Sequence, residues 1–148
     1  EKKKKAEEKI KEEVINQLLA KTDIQVPQPL LDKEIIYYVE SVARNLQARN
    51  YDLEKIDWEK ISKDYEPMAI KKLQRNLLLE SFAQNFGIEA TDEEVLNYVR
   101  KLCEENNLDY EKEVRENRET GKLEEIKVEL KLKKAMDKIL EKLNLQNA

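Results

Sequence analysis

The sequence has no histidine and only one cysteine, Cys103. Histidine is the usual general base and a common zinc ligand near neutral pH, so its absence excludes most acid–base sites and histidine-ligated metal centres. A di-iron site of the helical-bundle type, which needs two Glu-x-x-His motifs, is excluded for the same reason. A single cysteine also excludes a scaffold held by internal disulfides, and the sequence therefore favours a function without side-chain acid–base or metal chemistry.

Turn-forming residues are equally scarce. Glycine occurs only at Gly87 and Gly121, and proline only at Pro27, Pro29 and Pro67. A β-sandwich or barrel needs a turn about every 8 to 12 residues, so these folds are excluded, while abundant Glu, Lys and Leu are typical of long helices. The 148 residues predict an all-α protein of one domain, or at most two lobes that share a core.

Charge is high but balanced. Charged residues make up 41% of the chain and the net charge is −4. We therefore expect no general attraction to nucleic acid or to an anionic membrane, and we interpret the run Lys2–Lys5 as a solvated helix end. No apolar stretch approaches the ~20 residues of a membrane span. The 40% of apolar residues is sufficient for a core, which argues against global disorder.

Apolar residues recur every three or four positions along most of the chain, as in amphipathic helices. Pro27 and Pro29 interrupt this pattern and predict a stiff extended strap over residues 22–29. Gly87 is expected to end a helix in the left-handed conformation, and Thr91 with Glu94 forms a capping-box motif. The alternation at 128–132 also fits a short strand, but the spacing beyond it favours a helix. Helices are predicted over residues 1–21, 30–49, 57–65, 67–86, 91–107, 109–118 and 122–143.

Several helices carry more apolar surface than packing against one neighbouring helix would bury. The helices 67–86 and 122–143 are apolar on two faces. In the second helix one face has Leu123, Ile126 and Leu130, and the other has Val128, Leu132, Met136, Ile139 and Leu143. The centre of the core is placed at Leu77–Leu79, whereas Ile36 and Tyr37 lie off the stripe of their helix. Two interpretations remain open, an irregular core shared by two lobes or an exposed concave surface that binds other chains.

Residues with catalytic potential are few. Paired acids such as Glu7 and Glu8 lie beside lysines on polar helix faces, where nothing separates their pKa values as acid–base catalysis requires. Cys103 follows the apolar positions Val99 and Leu102, which predicts a small core residue. There is no glycine-rich phosphate loop. We therefore expect no catalytic residue, no cofactor and no metal ion.

Four segments in register resemble a known family. They are a charged first helix, VINQLLAKTDIQVPQPLLDKEI (14–35), NLLLESFAQNFGIEATDEEV (76–95), and AMDKILEKLNL (135–145) after a charged stretch and a glycine. In this order they cover most of the chain and resemble the C-terminal domain of bacterial trigger factor, a ribosome-associated chaperone. The most specific parts are the Val26-Pro27 strap with its following helix and the Leu77–Glu80 helix with its following Gly-Ile-Glu-Ala-Thr sequence.

The resemblance implies an elongated all-α domain with a helical body and two protruding arms. It implies ATP-independent holding of nascent or unfolded polypeptides in the bacterial cytoplasm and, in many members, a homodimer. The expected division is a connecting helix (1–21), strap and first arm (22–66), central helix (67–87), second arm (88–121), and closing helix and tail (122–148). The family's ribosome-binding loop and prolyl isomerase domain are not in this sequence, so we expect neither activity from it, although a longer parent is expected to have both.

Apolar side chains that the folded domain leaves exposed are the expected client contacts, and for each of them core packing is the alternative. A second hypothesis is a dedicated interaction or dimerisation module that binds one folded partner. A third, an enzyme, requires buried carboxylates with shifted pKa values. The candidate client-binding residues are Tyr37, Met68, Tyr98, Leu102, Leu108, Tyr110, Val114 and Met136.

Overall fold

The computed structural model describes the backbone of residues 1–147 and the side chains through Leu143. This part of the chain contains helices and no strand, so the predicted all-α class is confirmed, and residues 128–132 are helical. Ala148, the last residue of the predicted tail, lies outside the described residues. The helices are α1 (Lys2–Ala20), α2 (Gln28–Ala48), a 3₁₀ turn (Leu53–Lys55), α3 (Trp58–Asn85), α4 (Asp92–Asn106), α5 (Tyr110–Glu119) and α6 (Lys122–Asn147).

Contacts divide the chain into two compact units, Glu1–Leu78 and Leu79–Ala148. The first unit contains α1, α2, the 3₁₀ turn and most of α3. The second contains the end of α3 and all of α4, α5 and α6. The expected division into body and arms stays a prediction.

Long side chains join α2 to α3 in the first unit. The rings of Tyr38 and Tyr65 stack with centroids 3.7 Å apart and planes 9° from parallel. The Tyr65 hydroxyl donates a hydrogen bond to Glu34 Oε1 at 2.9 Å, and Lys72 Nζ lies 2.7 Å from the same oxygen. The extended strap is held to α3 where Gln74 Nε2 donates to the Ile24 carbonyl at 3.2 Å. The first unit therefore depends on polar and aromatic contacts as well as on its buried Ile15, Leu31 and Ala69.

The predicted helix boundary at Pro67 is wrong. Instead of a short helix to Tyr65 and a new one at Pro67, α3 runs unbroken from Trp58 to Asn85 with Pro67 inside it. Proline lacks the N–H that an interior helical residue donates, and its ring crowds the preceding turn. The helix nevertheless continues because two contacts hold the turns before Pro67 in place. Lys60 N–H donates to Asp57 Oδ1 at 3.1 Å, and the ring of Tyr65 stacks on Tyr38 of α2.

The second unit has a small core between α4, α5 and α6. Its buried side chains are Val95, Val99, Cys103 and Ile126, against which Tyr110, Val114, Leu123 and Leu130 pack. Cys103 is thus a core residue, as predicted. Burial, followed by the nearby carboxylates Glu113 and Asp109, raises the pKa of its thiol. A structural role therefore accounts for the only cysteine.

Lys134 fastens α6 to the start of α4. Its ammonium lies 2.6 Å from Glu94 Oε1 and donates to the Glu89 carbonyl at 3.0 Å. The hydrogen bond from Lys134 lowers the pKa of Glu94, with Thr91 contributing in the same direction. Glu94 also completes the predicted capping box with Thr91, which is confirmed. One carboxylate therefore serves both a helix start and an ion pair between helices.

Several other helix ends have a residue in the left-handed backbone conformation. Gly87 has a φ of +63°, and Ile88 N–H bonds back to the Ala83 carbonyl at 2.8 Å, as in a Schellman motif. Asn50 and Asn107 take the same left-handed conformation after α2 and α4. The helix end predicted at Asn107 is confirmed, and Asn50 ends α2 in the same conformation.

The apolar faces are only partly as predicted. Of the triplet placed at the core centre, Leu79 is 2% exposed, while Leu77 and Leu78 are half-buried. On α6, Met136 and Ile139 are buried as a second apolar face requires, but Val128 is 47% exposed. The apolar pattern therefore overestimates how much of each helix is covered.

Pro67→Ala tests whether α3 is a continuous helix held against a helix breaker. The substitution restores an interior N–H donor and removes the ring clash, so we expect the free energy of unfolding to rise by about 1–3 kcal/mol. Urea denaturation followed by circular dichroism measures it. Pro29→Ala in the first turn of α2, where no such donor is needed, serves as the control. An equal or larger gain in the control would contradict the explanation.

Candidate functional site

The first unit has a concave surface between α1 and α3, here called the α1–α3 groove. Its volume is about 510 Å³, within the ~300–1,000 Å³ typical of ligand pockets. The α3 wall is one helical face at spacings of three and four residues, with Met68 at one end and Arg75 at the other. The lining residues are Glu8, Lys11, Glu12, Ile15, Asn16 and Leu19 from α1, and Met68, Lys71, Lys72 and Arg75 from α3.

The floor of this groove is apolar and its rim is charged. Ile15 is buried and Leu19 half-buried, whereas Met68 is 67% exposed and has most of its thioether side chain available for contact. Methionine adapts its shape to different neighbours, which suits a surface that binds varied sequences. The predicted contact residue Met68 is therefore both exposed and part of a concave surface.

The exposed residues of α2 form a second apolar surface on the first unit. Tyr37, a predicted contact, is 61% exposed, and Leu30 lies seven residues earlier on the same face at 40%. Ile36 is 58% exposed but points about 100° away from Tyr37 around the helix. Ile36 and Tyr37, which lie off the apolar stripe of their helix in the sequence, are therefore both outside the core.

In the second unit the structure brings Tyr98 and Leu102 together on one face of α4, four residues apart and 39% and 37% exposed. Leu108 is 50% exposed, and its N–H bonds to the Cys103 carbonyl at 2.9 Å as part of the helix end. Tyr110 and Val114 are half-buried and pack against the core of this unit. Tyr98, Leu102 and Leu108 therefore have exposed surface for binding. Tyr110 and Val114 act mainly in packing.

Met136 is placed in the core. Its side chain is 3% exposed, so it has no surface to present to another chain. Sequence periodicity put Met136 on an apolar face but did not reveal whether that face is covered. Other apolar side chains outside the predicted set are exposed, and one of them, Phe86, is capped by Lys142 Nζ 4.0 Å from its ring centroid. These additional residues are Ile10, Leu30, Ile36, Tyr51, Phe86, Val128 and Leu143.

The described residues contain no sign of a metal or acid–base centre. Within this part of the chain, no group of three Asp, Glu or Cys side chains is placed to hold a metal ion. No polar or charged side chain among these residues is buried. The one large rise in pKa, at Tyr65, belongs to the contact between α2 and α3.

Comparison with known proteins identifies the family. The family model for the bacterial trigger factor protein C-terminus matches residues 1–141. The chain belongs to this family. Trigger factor from Caldicellulosiruptor saccharolyticus is 36% identical over 94% of this chain, and that from Aquifex aeolicus is 31% identical over 94%. The family expected from the four sequence segments is therefore confirmed, and it is a chaperone family.

This chain spans about a third of the length of these relatives, 34% and 30% respectively. A solved chain of trigger factor domains from Thermotoga maritima superimposes with a TM-score of 0.62 at 20% identity, covering 88% of this chain and 81% of that one. This likeness supports the all-α fold. None of the described helices is long and apolar enough to cross a membrane.

The two methionines give a matched test of which apolar residues are available for binding. Met136→Ala removes a buried side chain and should lower the free energy of unfolding by about 2–5 kcal/mol. Met68→Ala removes an exposed one and should change it by less than about 0.5 kcal/mol. Urea denaturation of both variants measures the difference. Similar losses in the two would show that Met68 is a core residue.

A pH titration can test whether the contact between α2 and α3 raises the pKa of Tyr65. Burial and then the hydrogen bond to Glu34 raise the pKa of Tyr65 from 10.0 to about 12. The stability that this group contributes is therefore complete below pH 10.0 and lost as the pH rises through about 12. Absorbance at 295 nm should show one tyrosine ionising late. Tyr65→Phe should abolish that late step and Tyr37→Phe should leave it, and a late step that survives Tyr65→Phe would contradict the assignment.

Proposed function

We propose that this chain is a holding domain that binds unfolded or nascent polypeptides without ATP, through dispersed apolar contacts on its helices. The observation that carries the proposal is the amount of large apolar surface left outside the core. Twelve large apolar side chains are at least 36% exposed among the residues that the structure describes, and they occur in both units. Membership of a chaperone family supports the same function.

The physical mechanism is the sum of weak contacts. Covering the remaining exposed area of one such side chain is worth about 1 kcal/mol, from roughly 25 cal/mol per Å². Several contacts made together hold a flexible client, while each alone is released quickly. The apolar groups are spread over separate helix faces, so no fixed sequence is required, and adaptable side chains such as Met68 suit varied partners.

The charged surface has a complementary role. Exposed Glu and Lys alternate with the exposed apolar residues along the helices, and ion pairs such as Lys63–Glu59 at 3.0 Å lie on exposed helix faces. Such surface pairs add little stability, but a dense charged surface keeps a protein with exposed apolar groups from aggregating. The 41% charge is thereby explained as a requirement for holding clients in solution.

In this proposal the chain acts within a longer, ribosome-associated folding factor of the bacterial cytoplasm. Ribosome binding and prolyl isomerisation are assigned to other segments of that factor, and a homodimer is its proposed assembly. The chain itself is assigned no catalytic role and no cofactor. Its relatives are trigger factors about three times its length, which supports this placement.

Light scattering of an aggregating client tests the proposal. The wild-type chain in several-fold molar excess should suppress aggregation. A variant that combines Tyr37→Ser, Met68→Ser, Tyr98→Ser and Leu102→Ser should need at least about 10-fold more protein, because it loses up to about 4 kcal/mol of contacts. Several unrelated clients should behave alike.

The matched control changes four exposed charged residues that form two ion pairs, so its net charge is unchanged. It combines Glu59→Ser, Lys63→Ser, Lys112→Ser and Glu116→Ser. The control should suppress aggregation as the wild type does. Absence of suppression by the wild type would reject the proposal, and binding to a single folded partner alone would favour a dedicated assembly module.

A further inference from the structure

The α1–α3 groove differs from the other exposed apolar surfaces because its two walls carry different charge. The α3 wall presents Lys71, Lys72 and Arg75, and no carboxylate. The α1 wall presents Glu8, Lys11 and Glu12. A surplus of cations in a groove stands out in a chain whose net charge is −4.

Neighbouring carboxylates engage some of these cations but not all. Lys72 is bound to Glu34 at 2.7 Å, and Lys11 lies 3.8 Å from Glu8. Among the described side chains, no carboxylate oxygen lies within 4.0 Å of the charged nitrogens of Lys71 or Arg75. Two cations of the α3 wall are therefore available to a ligand, while Glu12 is the remaining acid of the opposite wall.

The spacing of the groups on the α3 wall determines the length of peptide that fits the groove. Lys71 and Arg75 are one helical turn apart, and Met68 lies nearly one turn before Lys71, so the wall from Met68 to Arg75 is about 10 Å long. Three or four residues of extended chain span the same length. An apolar side chain that packs on Ile15, Leu19 and Met68 would then place a neighbouring carboxylate near Lys71 or Arg75.

We propose that the α1–α3 groove selects unfolded segments in which a large apolar residue is flanked by Asp or Glu. This inference rests on the proposed holding function and adds a preference to it. Apolar contact with the floor supplies affinity, and the carboxylates pair with Lys71 and Arg75. A segment flanked by lysines meets like charge on the α3 wall and binds less tightly.

Fluorescence anisotropy with three labelled octapeptides tests the preference. The peptides share a central Leu-Phe pair, which is flanked by Asp and Glu, by Asn and Gln, or by Lys. The acidic peptide should bind the wild-type chain about 3- to 10-fold more tightly than the neutral one, and the basic peptide more weakly than both, because each exposed ion pair contributes a small amount. Raising the salt concentration should reduce the difference.

Charge reversal on the α3 wall should reverse the order. Lys71→Glu with Arg75→Glu should make the basic peptide the tightest ligand, and Lys71→Gln with Arg75→Gln should remove the preference while perturbing the fold less. The control, Lys60→Glu with Lys63→Glu, changes two exposed lysines of the same helix outside the groove and has the same net charge as the reversal. It should keep the order of the wild type.

The outcomes separate this inference from the proposed function. Equal binding of the three peptides, or an equal loss of preference in the control, would overturn the inference while suppression of client aggregation still stood. Suppression without any measurable peptide binding would overturn it as well. If the wild-type chain neither binds a peptide nor suppresses aggregation, the holding function itself is rejected along with the preference.

Discussion

The constraint on which the rest of the structure depends is how little side-chain volume these helices bury. Thirteen apolar residues are buried in the described part of the chain, and four of them are alanines. Small residues such as Ala69 and Ala135, both fully covered, let helix backbones approach closely but contribute little apolar area. Stability must then come from contacts at the helix edges and ends as well as from a core.

The edge contacts show how this is done. In the first unit, Glu34 accepts from Tyr65 while it pairs with Lys72, and Tyr38 stacks on Tyr65. In the second, Lys134 joins Glu94 and the Glu89 carbonyl. Such contacts fix helices without covering their outer apolar residues. A thin core and exposed apolar groups are thus two aspects of one arrangement, and a holding function needs the second.

Sequence reasoning succeeded where the signal is local. The capping box at Thr91 and Glu94 and the left-handed Gly87 depend on neighbouring residues only, and both are present. It failed at Pro67, where stacking of Tyr65 on another helix outweighs a local helix breaker. Asn50 was missed because asparagine adopts the left-handed conformation less consistently than glycine.

The candidate site shows the same difference between features set by neighbouring residues and features set by contacts between helices. Periodicity found apolar faces, but Met68 at 67% exposure and Met136 at 3% have similar local patterns, and only the position of a neighbouring helix separates them. Ile36 and Tyr37 lie off their own helix stripe, which is a local property, but the sequence left open whether they pack in a core or stay exposed, as the structure has them.

The groove adds a property that no single segment contains. Its positive charge resides mainly on Lys71 and Arg75, because Glu34, a residue of α2, pairs with Lys72 and no such pair forms at the other two cations of the α3 wall. In the sequence the three cations are equivalent members of a basic stretch between Lys71 and Arg75. The ion pair between α2 and α3 distinguishes Lys72, which stabilises the unit, from Lys71 and Arg75, which face the groove. The contact that holds α2 to α3 therefore also sets the charge of the surface beside it, so the inferred preference depends on how the helices are joined.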